Sequence, residues 1–268
     1  MFAVIGNPIA HSVSPRIHTL FAKQFAMQIT YTRICAEVAD FENVVTNFFV
    51  TGGRGLNITA PFKERAFAMS VVKTDRAIQA QAANTLWMVG EQLHADNTDG
   101  VGLLRDLAAY GNLQGKRILL LGAGGAARGI IGPLLAAQLK ELVVVNRTVQ
   151  RAHELCKAFP ALTVNTFTTL QGVFDVIINA TTLHAALDLK LPEAIWETKP
   201  FCYDLVYNIA APTPFVEMAR AHQCDAVDGL GMLIAQAAES FYIWHGVRPV
   251  LGAYLKNAII ASDAFIVS

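Results

Sequence analysis

The sequence predicts an α/β protein built from two domains with a cleft between them. Short apolar runs alternate with segments of helical period over residues 1 to 98, and the same alternation restarts near residue 117. Alternation of this kind indicates mainly parallel sheets covered by helices. The chain of 268 residues is long enough for two domains of ordinary size, and its 53% hydrophobic content can fill two cores.

The first half begins with three expected strands, FAVIG, ITYTRIC and RGLNIT, and with helices around residues 15–26 and 41–50. In GLNITAPFKER a strand runs straight into a helix, with Pro61 at the helix start and Lys63 in its first turn. NTLWMV and QLHAD follow as a strand pair. NTDG then opens a connecting helix, capped by Thr98 or Asp99 and ended by Gly111.

The second half contains strands at RILLL, ELVVV, VFDVIINAT and KPFCYDLVY, each followed by a helical segment. Two closing helices are expected in MLIAQAAESFYIWHG and VLGAYLKNAIIASDAF. We therefore assign residues 1–98 together with 236–268 to one domain, and residues 99–235 to the other.

Composition excludes several classes of protein. The net charge is zero, so the chain has no electrostatic reason to bind nucleic acid or an anionic membrane. The four cysteines show no CxxC spacing and no clustering with histidine, which argues against a zinc site and a disulfide framework. The start MFAVIG lacks a basic segment, and no apolar run approaches about 18 residues. We expect a cytoplasmic protein with a small-molecule substrate and no metal.

A glycine turn marks the second domain as a Rossmann-type, doubly wound parallel sheet. The strand at 117–121 leads into Gly122, Gly124 and Ala127, which fit GxGxx(G/A), and a helix follows directly. Strand, glycines and helix in this order let the backbone approach a pyrophosphate and direct helix amides at it. The alternative is a tight turn whose glycines serve packing alone.

The end of the next strand favours NADP over NAD. Dinucleotide-binding domains that use NAD usually place an acidic residue here, but this chain has NRTVQR. Arg147 and Arg151 are four residues apart at a helix start that Thr148 can cap, and two guanidinium groups with helix amides suit a phosphate dianion. Two solvated surface arginines remain the alternative.

The amino-terminal half carries two further candidate groups. Ser12 and Ser14 precede Pro15, the expected first helical residue, and their hydroxyls suit a carboxylate, although Ser14 could simply be an N-cap. Lys63 lies at the helix end where the dipole disfavours a cation. His11 and His18 lack a third metal ligand and are interpreted as structural or surface histidines.

Several motifs occur together and in order: GNPIAHSVSPRIH, NITAPFKE, ANTL, DNTDGVG, GAGGAARG, NRTVQR and DGLGMLIAQAAESF. Over nearly the full chain they resemble bacterial shikimate dehydrogenase, and NITAPFK, NTDG and the last motif are more specific than the glycine turn. The resemblance implies reduction of 3-dehydroshikimate to shikimate by NADPH in aromatic amino-acid biosynthesis.

The resemblance also implies the roles of individual residues. Lys63 and Asp99 would form the catalytic pair. The substrate carboxylate would be bound by Ser12, Ser14 and Tyr207, and the ring hydroxyls by Thr59, Lys63, Asn84, Asp99 and Gln236. Residues expected to contact or flank the cofactor are Asp75, Gly122, Ala123, Gly124, Gly125, Ala126, Asn146, Arg147, Thr148, Arg151, Val206 and Gly229.

Residue chemistry alone leaves purely structural roles open: Asp99 could be a helix cap, Lys63 a surface lysine and Tyr207 a core aromatic. The chain also departs from the family pattern at residues 182–187 and 208–210, near the expected nicotinamide end, and at Ala60 and Ala82. A quinate- or NAD-preferring relative, and a non-catalytic nucleotide-binding protein, are the competing functions. The expected assembly is a monomer or a homodimer.

Overall fold

The computed structural model describes residues 1–181 and 190–261, which separate into two compact units. The first unit contains Met1–Gly102 and resumes at Leu233, and the second contains Leu103–Met232. Both boundaries lie inside helices, a few residues from the positions expected at 98 and 236. Gly102 and Gly231 lie at or next to these boundaries, but both helices continue through their glycine, so neither glycine marks a helix end that would locate the boundary from sequence. Asp99 accordingly belongs to the first unit.

Strands and helices alternate along most of the described chain. The strands are β1 (Phe2–Gly6), β2 (Tyr31–Cys35), β3 (Gly55–Ile58), β4 (Val72–Lys73), β5 (Thr85–Val89), β6 (Gln92–Asp96), β7 (Arg117–Leu121), β8 (Glu141–Val145), β9 (Thr163–Asn165), β10 (Val176–Asn179), β11 (Phe201–Asp204) and β12 (Ala226–Val227). The α-helices are α1 (Ser14–Gln24), α2 (Phe41–Val50), α3 (Lys63–Met69), α4 (Asp75–Ala80), α5 (Asp99–Leu107), α6 (Gly125–Ala136), α7 (Val149–Ala158), α8 (Glu193–Trp196), α9 (Pro214–Ala221), α10 (Leu230–His245) and α11 (Ala253–Ala261).

The first unit is built on a mixed sheet with the strand order β2-β1-β3-β5-β6-β4. β1 pairs in parallel with β2 and β3, whereas β5 runs antiparallel to both β3 and β6. The predicted strand pair NTLWMV and QLHAD is confirmed as the β5–β6 hairpin. The carboxyl ends of β1 and β3 therefore point the same way, and they deliver Gly6 and Thr59 to one edge of the sheet.

The second unit is built on a parallel sheet with the order β12-β11-β10-β7-β8-β9. The chain starts at β7, continues outward through β8 and β9, and then returns to the other side of β7 with β10. The strand order thus reverses between β7 and β10. Ligands of doubly wound sheets bind outside the carboxyl ends of the strands at such a reversal.

Alternate residues of β7 face two different apolar clusters, because successive side chains of a strand point to opposite faces. Ile118 and Leu120 pack on one side of the sheet, and Leu119 and Leu121 on the other. Both faces are buried, as a parallel sheet requires. Across residues 1–181 and 190–261, no helix is long and apolar enough to cross a membrane.

Candidate active site

Lys63 is the first residue of α3, directly after the turn that follows β3. The prediction that Pro61 starts this helix is wrong. The Phe62 amide donates to the Thr59 carbonyl at 3.0 Å and closes a separate turn, so Pro61 precedes the helix. The buried ring of Phe62 stacks on Phe41 and anchors this turn. Lys63 therefore projects from a helix N-terminus that no side chain caps.

Asp99 lies opposite Lys63, with Lys63 Nζ 2.6 Å from Asp99 Oδ2. Asp99 is the first residue of α5, and its amide donates to Asn97 Oδ1 at 3.1 Å. The two side chains are mostly buried, 17% exposed for Lys63 and 6% for Asp99. Partial burial makes the attraction stronger than that of a pair in open solvent.

Asn84 connects Asp99 to Gln236. Its Nδ2 atom lies 2.8 Å from Asp99 Oδ1, 2.9 Å from Thr98 Oγ1 and 3.0 Å from Gln236 Oε1. Its Oδ1 accepts the Thr98 amide at 2.9 Å. The structure thus brings four sequence-predicted residues into one polar cluster, which we call the Lys63 cluster: Lys63, Asn84, Asp99 and Gln236.

Thr59 follows β3 at the same sheet edge, half-buried, with its amide donating to the Ile5 carbonyl at 2.9 Å. A Cβ at Gly6 would come within 2.4 Å of Thr59 Cγ2. Glycine at position 6 therefore permits the close approach of the β1 and β3 ends. The sequence GNPIAHS does not reveal this steric requirement for its first glycine, because the close neighbour Thr59 lies far along the chain.

Ser12 and Ser14 are hydrogen-bonded to each other, with their Oγ atoms 3.1 Å apart. The helix begins at Ser14 and has Val13 in the N-cap position, so the expectation that Pro15 is its first residue is wrong by one position. Because Ser14 is already helical, it is not the N-cap. The Ser14 amide donates to Ser12 Oγ at 3.3 Å, and Val13 supplies no side-chain cap. Two hydroxyls beside a helix N-terminus can accommodate a carboxylate.

Several buried polar residues behind the Lys63 cluster were not predicted. Tyr31 Oη donates to Asn57 Oδ1 at 2.8 Å, and Asn57 Nδ2 donates to Ser240 Oγ at 2.9 Å and to the Asn84 carbonyl at 3.1 Å. Asn57 is the first residue of the NITAPFKE motif, and this position in the motif is a signal that could have identified it. Ser240 lies in the motif DGLGMLIAQAAESF, whereas Tyr31 lies in an apolar segment that gives no local signal.

His18 supports Tyr31 from behind. Its ring is fully buried and stacks on the Tyr31 ring with centroids 4.3 Å apart. Burial, followed by the charge of nearby His245, lowers the pKa of His18 to about 3. His18 is thus a neutral packing group, whereas His11 is exposed. The described residues include no group of three potential metal ligands.

In the second unit, the glycine turn follows β7. Gly122 adopts φ +109°, and a Cβ there would lie 3.0 Å from the Ala180 carbonyl oxygen. Apart from the chain neighbours and the helix backbone, no atom of the described residues lies within 4 Å of a Cβ built on Gly124 or Gly125. Gly124 is the N-cap of α6, so no side chain caps the helix, and the first turn contains no acidic residue. Ala123 and Ala126 share this turn, whose open backbone fits a pyrophosphate.

A second uncapped helix start lies after β8. Thr148 occupies the N-cap position of α7, but its side chain makes no capping hydrogen bond, contrary to the prediction. Its carbonyl accepts Asn146 Nδ2 at 2.8 Å. Arg147 and Arg151 are exposed, and the first turn of α7 contains no acidic residue. The arrangement fits the additional phosphate of NADP.

Asp204 organises the segment that contains Val206 and Tyr207. The buried carboxylate accepts Asn179 Nδ2 at 2.9 Å and the Val206 amide at 3.1 Å, and burial raises the pKa of Asp204. The Gly229 amide donates to the Val206 carbonyl at 3.0 Å. A Cβ at Gly229 would lie 2.3 Å from the Leu205 carbonyl oxygen, so this contact requires glycine.

The remaining predicted residues are distributed as follows. Tyr207 is half-buried and belongs to the second unit, whereas Asp75 is exposed at the start of α4 in the first unit. In the atypical segment 208–210, the Ala210 amide donates to Asn208 Oδ1 at 3.0 Å. Residues 182–187, the other atypical segment, lie outside the described residues.

Three family models match consecutive parts of the chain. They are described as the shikimate dehydrogenase substrate binding domain (residues 4–86), shikimate / quinate 5-dehydrogenase (residues 106–225) and the shikimate 5'-dehydrogenase C-terminal domain (residues 229–250). Together they include the NITAPFKE motif and the glycine turn, whereas DNTDGVG lies between the first two matched ranges.

Curated relatives agree over nearly the whole chain. A shikimate dehydrogenase (NADP(+)) of Legionella pneumophila strain Corby is 52% identical over 257 residues, 96% of this chain and 97% of that protein. A protein of the same name from Alkalilimnicola ehrlichii is 49% identical over 255 residues, 92% of this chain and 94% of its own length.

Solved structures share the fold. The Ael1 enzyme from Pseudomonas putida superposes with a TM-score of 0.88 at 42% identity, covering 96% of this chain and 97% of that one. Shikimate 5-dehydrogenase from Thermus thermophilus, solved with NADP(H) and shikimate, gives 0.86 at 32% identity, covering 97% and 98%. With the sequence relatives and the matched models, these similarities show that the chain belongs to the shikimate dehydrogenase family.

Proposed function

We propose that this chain is an NADP-dependent shikimate dehydrogenase, which reversibly reduces 3-dehydroshikimate to shikimate in the pathway to chorismate and the aromatic amino acids. The observation that carries the proposal is the Lys63 cluster, in which a lysine, a carboxylate and two amides converge within the substrate-binding unit. Such a set offers both a proton donor and neutral hydrogen-bonding groups for a polyhydroxylated ring.

Lys63 acts as the general acid and base. NADPH supplies a hydride to the substrate carbon. Negative charge then develops on the carbonyl oxygen, and the Lys63 ammonium donates a proton to it. In the reverse direction the neutral amine takes the hydroxyl proton. Asp99 holds Nζ of Lys63 at 2.6 Å and so orients it towards the reacting oxygen.

The other polar residues bind the substrate. Ser12, Ser14 and Tyr207 bind its carboxylate, supported by the paired serine hydroxyls at the start of α1. The ring hydroxyls are bound by Thr59, Asn84, Gln236 and the catalytic pair. Three neutral side chains thus share the hydroxyls with the catalytic pair, and the proton transfer is left to Lys63.

The second unit binds the cofactor. The open backbone of Gly122–Gly125 and Ala126 would hold the pyrophosphate, and Arg147, Thr148 and Arg151 beside Asn146 would hold the additional phosphate. Val206 and Gly229 would flank the nicotinamide end, and Asp75 is a further proposed cofactor residue. The preference for NADP is supported by two exposed guanidinium groups at a helix start without an acidic residue.

The proposal requires no partner beyond substrate and cofactor. We place the enzyme in the cytoplasm, in keeping with four free cysteines, Cys35, Cys156, Cys202 and Cys224. A monomer and a homodimer are both compatible with the site, and light scattering separates them.

Initial rates of cofactor reduction test the proposed function. Purified protein is mixed with shikimate and NADP⁺, and absorbance of the reduced cofactor is followed, with NAD⁺ and quinate as comparison substrates. We expect the largest kcat/KM for shikimate with NADP⁺. Absence of turnover with every pair, while both ligands still bind, would favour a non-catalytic binding protein. A larger kcat/KM for quinate would instead make the chain a quinate-preferring relative, and a larger kcat/KM for NAD⁺ would make it an NAD-preferring relative.

A further inference from the structure

Arg76, on α4, contacts two buried carboxylates from different parts of the first unit. Its Nε donates to Asp96 Oδ1 at 3.0 Å, and its Nη2 donates to Asp96 Oδ2. Its Nη1 donates to Glu239 Oε1 at 3.3 Å. Asp96 is 1% exposed and Glu239 is 7% exposed. One planar guanidinium therefore holds both carboxylates at once, with a two-pronged contact to Asp96.

Asp96 ends β6, three residues before Asp99. Besides Arg76, Asp96 Oδ1 accepts the Asn97 amide at 2.6 Å and Thr74 Oγ1 at 2.6 Å. Asn97 in turn accepts the Asp99 amide and donates its Nδ2 to the Ala82 carbonyl at 3.0 Å. The hydrogen bonds thus run from Arg76 through Asp96 and Asn97 to the backbone of Asp99.

Glu239 lies on α10, three residues after Gln236. Residues three apart on a helix share a face, so holding Glu239 also fixes the rotation of the helix that presents Gln236. Arg248 contacts the other oxygen of Glu239 through its Nη1 at 2.5 Å. Glu239 is thereby paired on both sides, and among the described residues Arg76 is the one that joins it to the segment leading to Asp99.

We propose that Arg76 is a positioning residue for the Lys63 cluster. Through Asp96 it fixes the position of Asp99, and through Glu239 it fixes the position of Gln236. Asp99 and Gln236 are the two side chains that accept hydrogen bonds from Asn84 Nδ2. The inference rests on the proposed function, which makes this cluster the active site. Lysine cannot reproduce the role, because a single ammonium does not supply the fork that meets both oxygens of Asp96 and an oxygen of Glu239.

Steady-state kinetics of Arg76→Met and Arg76→Lys test the proposal, with Arg65→Met as the matched control. Arg65 makes a similar two-nitrogen contact, with Glu42 in the same unit, and contacts no member of the Lys63 cluster. We expect Arg76→Met to lower kcat by about tenfold to 100-fold and to raise the KM for shikimate, because a displacement near 1 Å has a cost of that size. The KM for NADP⁺ should stay within about twofold, and Arg76→Lys should recover part of kcat.

Thermal unfolding of each variant, followed by circular dichroism, separates positioning from stabilisation. A lower melting temperature with wild-type kcat and KM in Arg76→Met would overturn the proposal and leave an ion pair that serves stability alone. If Arg76→Met does not fold, Arg76→Lys and Asp96→Asn replace it under the same criteria, because both weaken the contact while keeping polar groups in place. Wild-type protein without turnover would contradict the proposed function and the positioning role together, whereas an active wild type with unaffected variants overturns the positioning role alone.

Discussion

At the scale of single residues, Lys63 breaks a local rule of helix formation. A cation at a helix N-terminus is unfavourable by about 0.3–1 kcal/mol. Asp99 offsets this cost with a largely buried contact at 2.6 Å, and Asn84 holds the other oxygen of the same carboxylate. A local rule broken by one residue and compensated by a distant one is expected where function overrides stability.

Asp99→Asn should slow the enzyme while leaving it folded. Both neighbours of the carboxylate, Lys63 Nζ and Asn84 Nδ2, are donors, so the amide nitrogen of asparagine would face one of them without an acceptor. Loss of a charged hydrogen bond costs about 1.5–3 kcal/mol, and we therefore expect kcat/KM for shikimate to fall roughly tenfold to 100-fold.

The control for this change is Asp175→Asn, because Asp175 pairs with Lys116 at 2.9 Å on the surface. Its kcat/KM should stay within about twofold of wild type. Equal rates in Asp99→Asn and Asp175→Asn would show that the Lys63 contact has no part in the reaction.

The buried, neutral His18 should make the free energy of unfolding depend on pH. Its pKa is about 3 in the folded protein and 6.5 as its ordinary value, so between these values the unfolded chain binds a proton that the folded chain does not. Stability is therefore retained above pH 6.5 and lost as the pH falls towards 3, at about 1.4 kcal/mol per pH unit. His18→Phe should remove this part of the slope.

Urea unfolding of wild type and His18→Phe at pH 7, 5.5 and 4 measures the difference. His11→Phe serves as the control because His11 is exposed. Parallel pH slopes in wild type and His18→Phe would contradict the burial of a neutral imidazole.

Sequence motifs made the residues of the Lys63 cluster predictable, but they did not reveal the role of the buried polar residues behind it. Lys63, Asn84 and Asp99 lie in short characteristic stretches of sequence. Tyr31 lies in no such stretch, and Ser240, although it lies within DGLGMLIAQAAESF, has a role that depends on a contact with the distant Asn57. A single sequence carries no information on such long-range partners.

At the scale of elements, the proposed cofactor site is built on two helix N-termini. α6 and α7 both begin without a side-chain cap and without an acidic residue in the first turn, so their amides are available to anions. The glycine turn and the helices themselves were predicted. The missing Thr148 cap was not, because a threonine at an N-cap position fits either a capping or a ligand-facing side chain.

Replacing Arg147 and Arg151 together by alanine should weaken NADP⁺ and spare NAD⁺. Each exposed guanidinium contributes roughly 1 kcal/mol or more to a phosphate contact, so the KM for NADP⁺ should rise about tenfold to 100-fold. The KM for NAD⁺, which lacks that phosphate, should change by less than about threefold.

Lys157→Ala is the control for charge on α7, since Lys157 is an exposed cation in the last turn of the same helix. Lys157→Ala should leave the KM for NADP⁺ and the KM for NAD⁺ near their wild-type values. An equal rise of both constants in the double variant would contradict discrimination at the additional phosphate.

At the scale of the whole molecule, the α/β class and the two units were predictable because hydrophobic periodicity repeats along the chain. The mixed sheet of the first unit shows in sequence only through the short β5–β6 hairpin. The boundaries within α5 and α10 were not predictable, since both helices continue through the glycines nearest to them, Gly102 and Gly231. The Lys63 cluster lies in one unit, and the backbone proposed to bind the cofactor phosphates lies in the other.

The most direct test of the account compares wild type with Lys63→Ala in initial rates of NADPH formation from shikimate and NADP⁺. Lys116→Ala, which removes a surface lysine of similar pairing, is the control. A general acid–base group contributes about 10²- to 10⁴-fold. The account predicts turnover in wild type and Lys116→Ala, and a loss of this size in a Lys63→Ala variant that unfolds as cooperatively as wild type. An inactive wild type, or a folded Lys63→Ala variant within about threefold of it, would contradict the account.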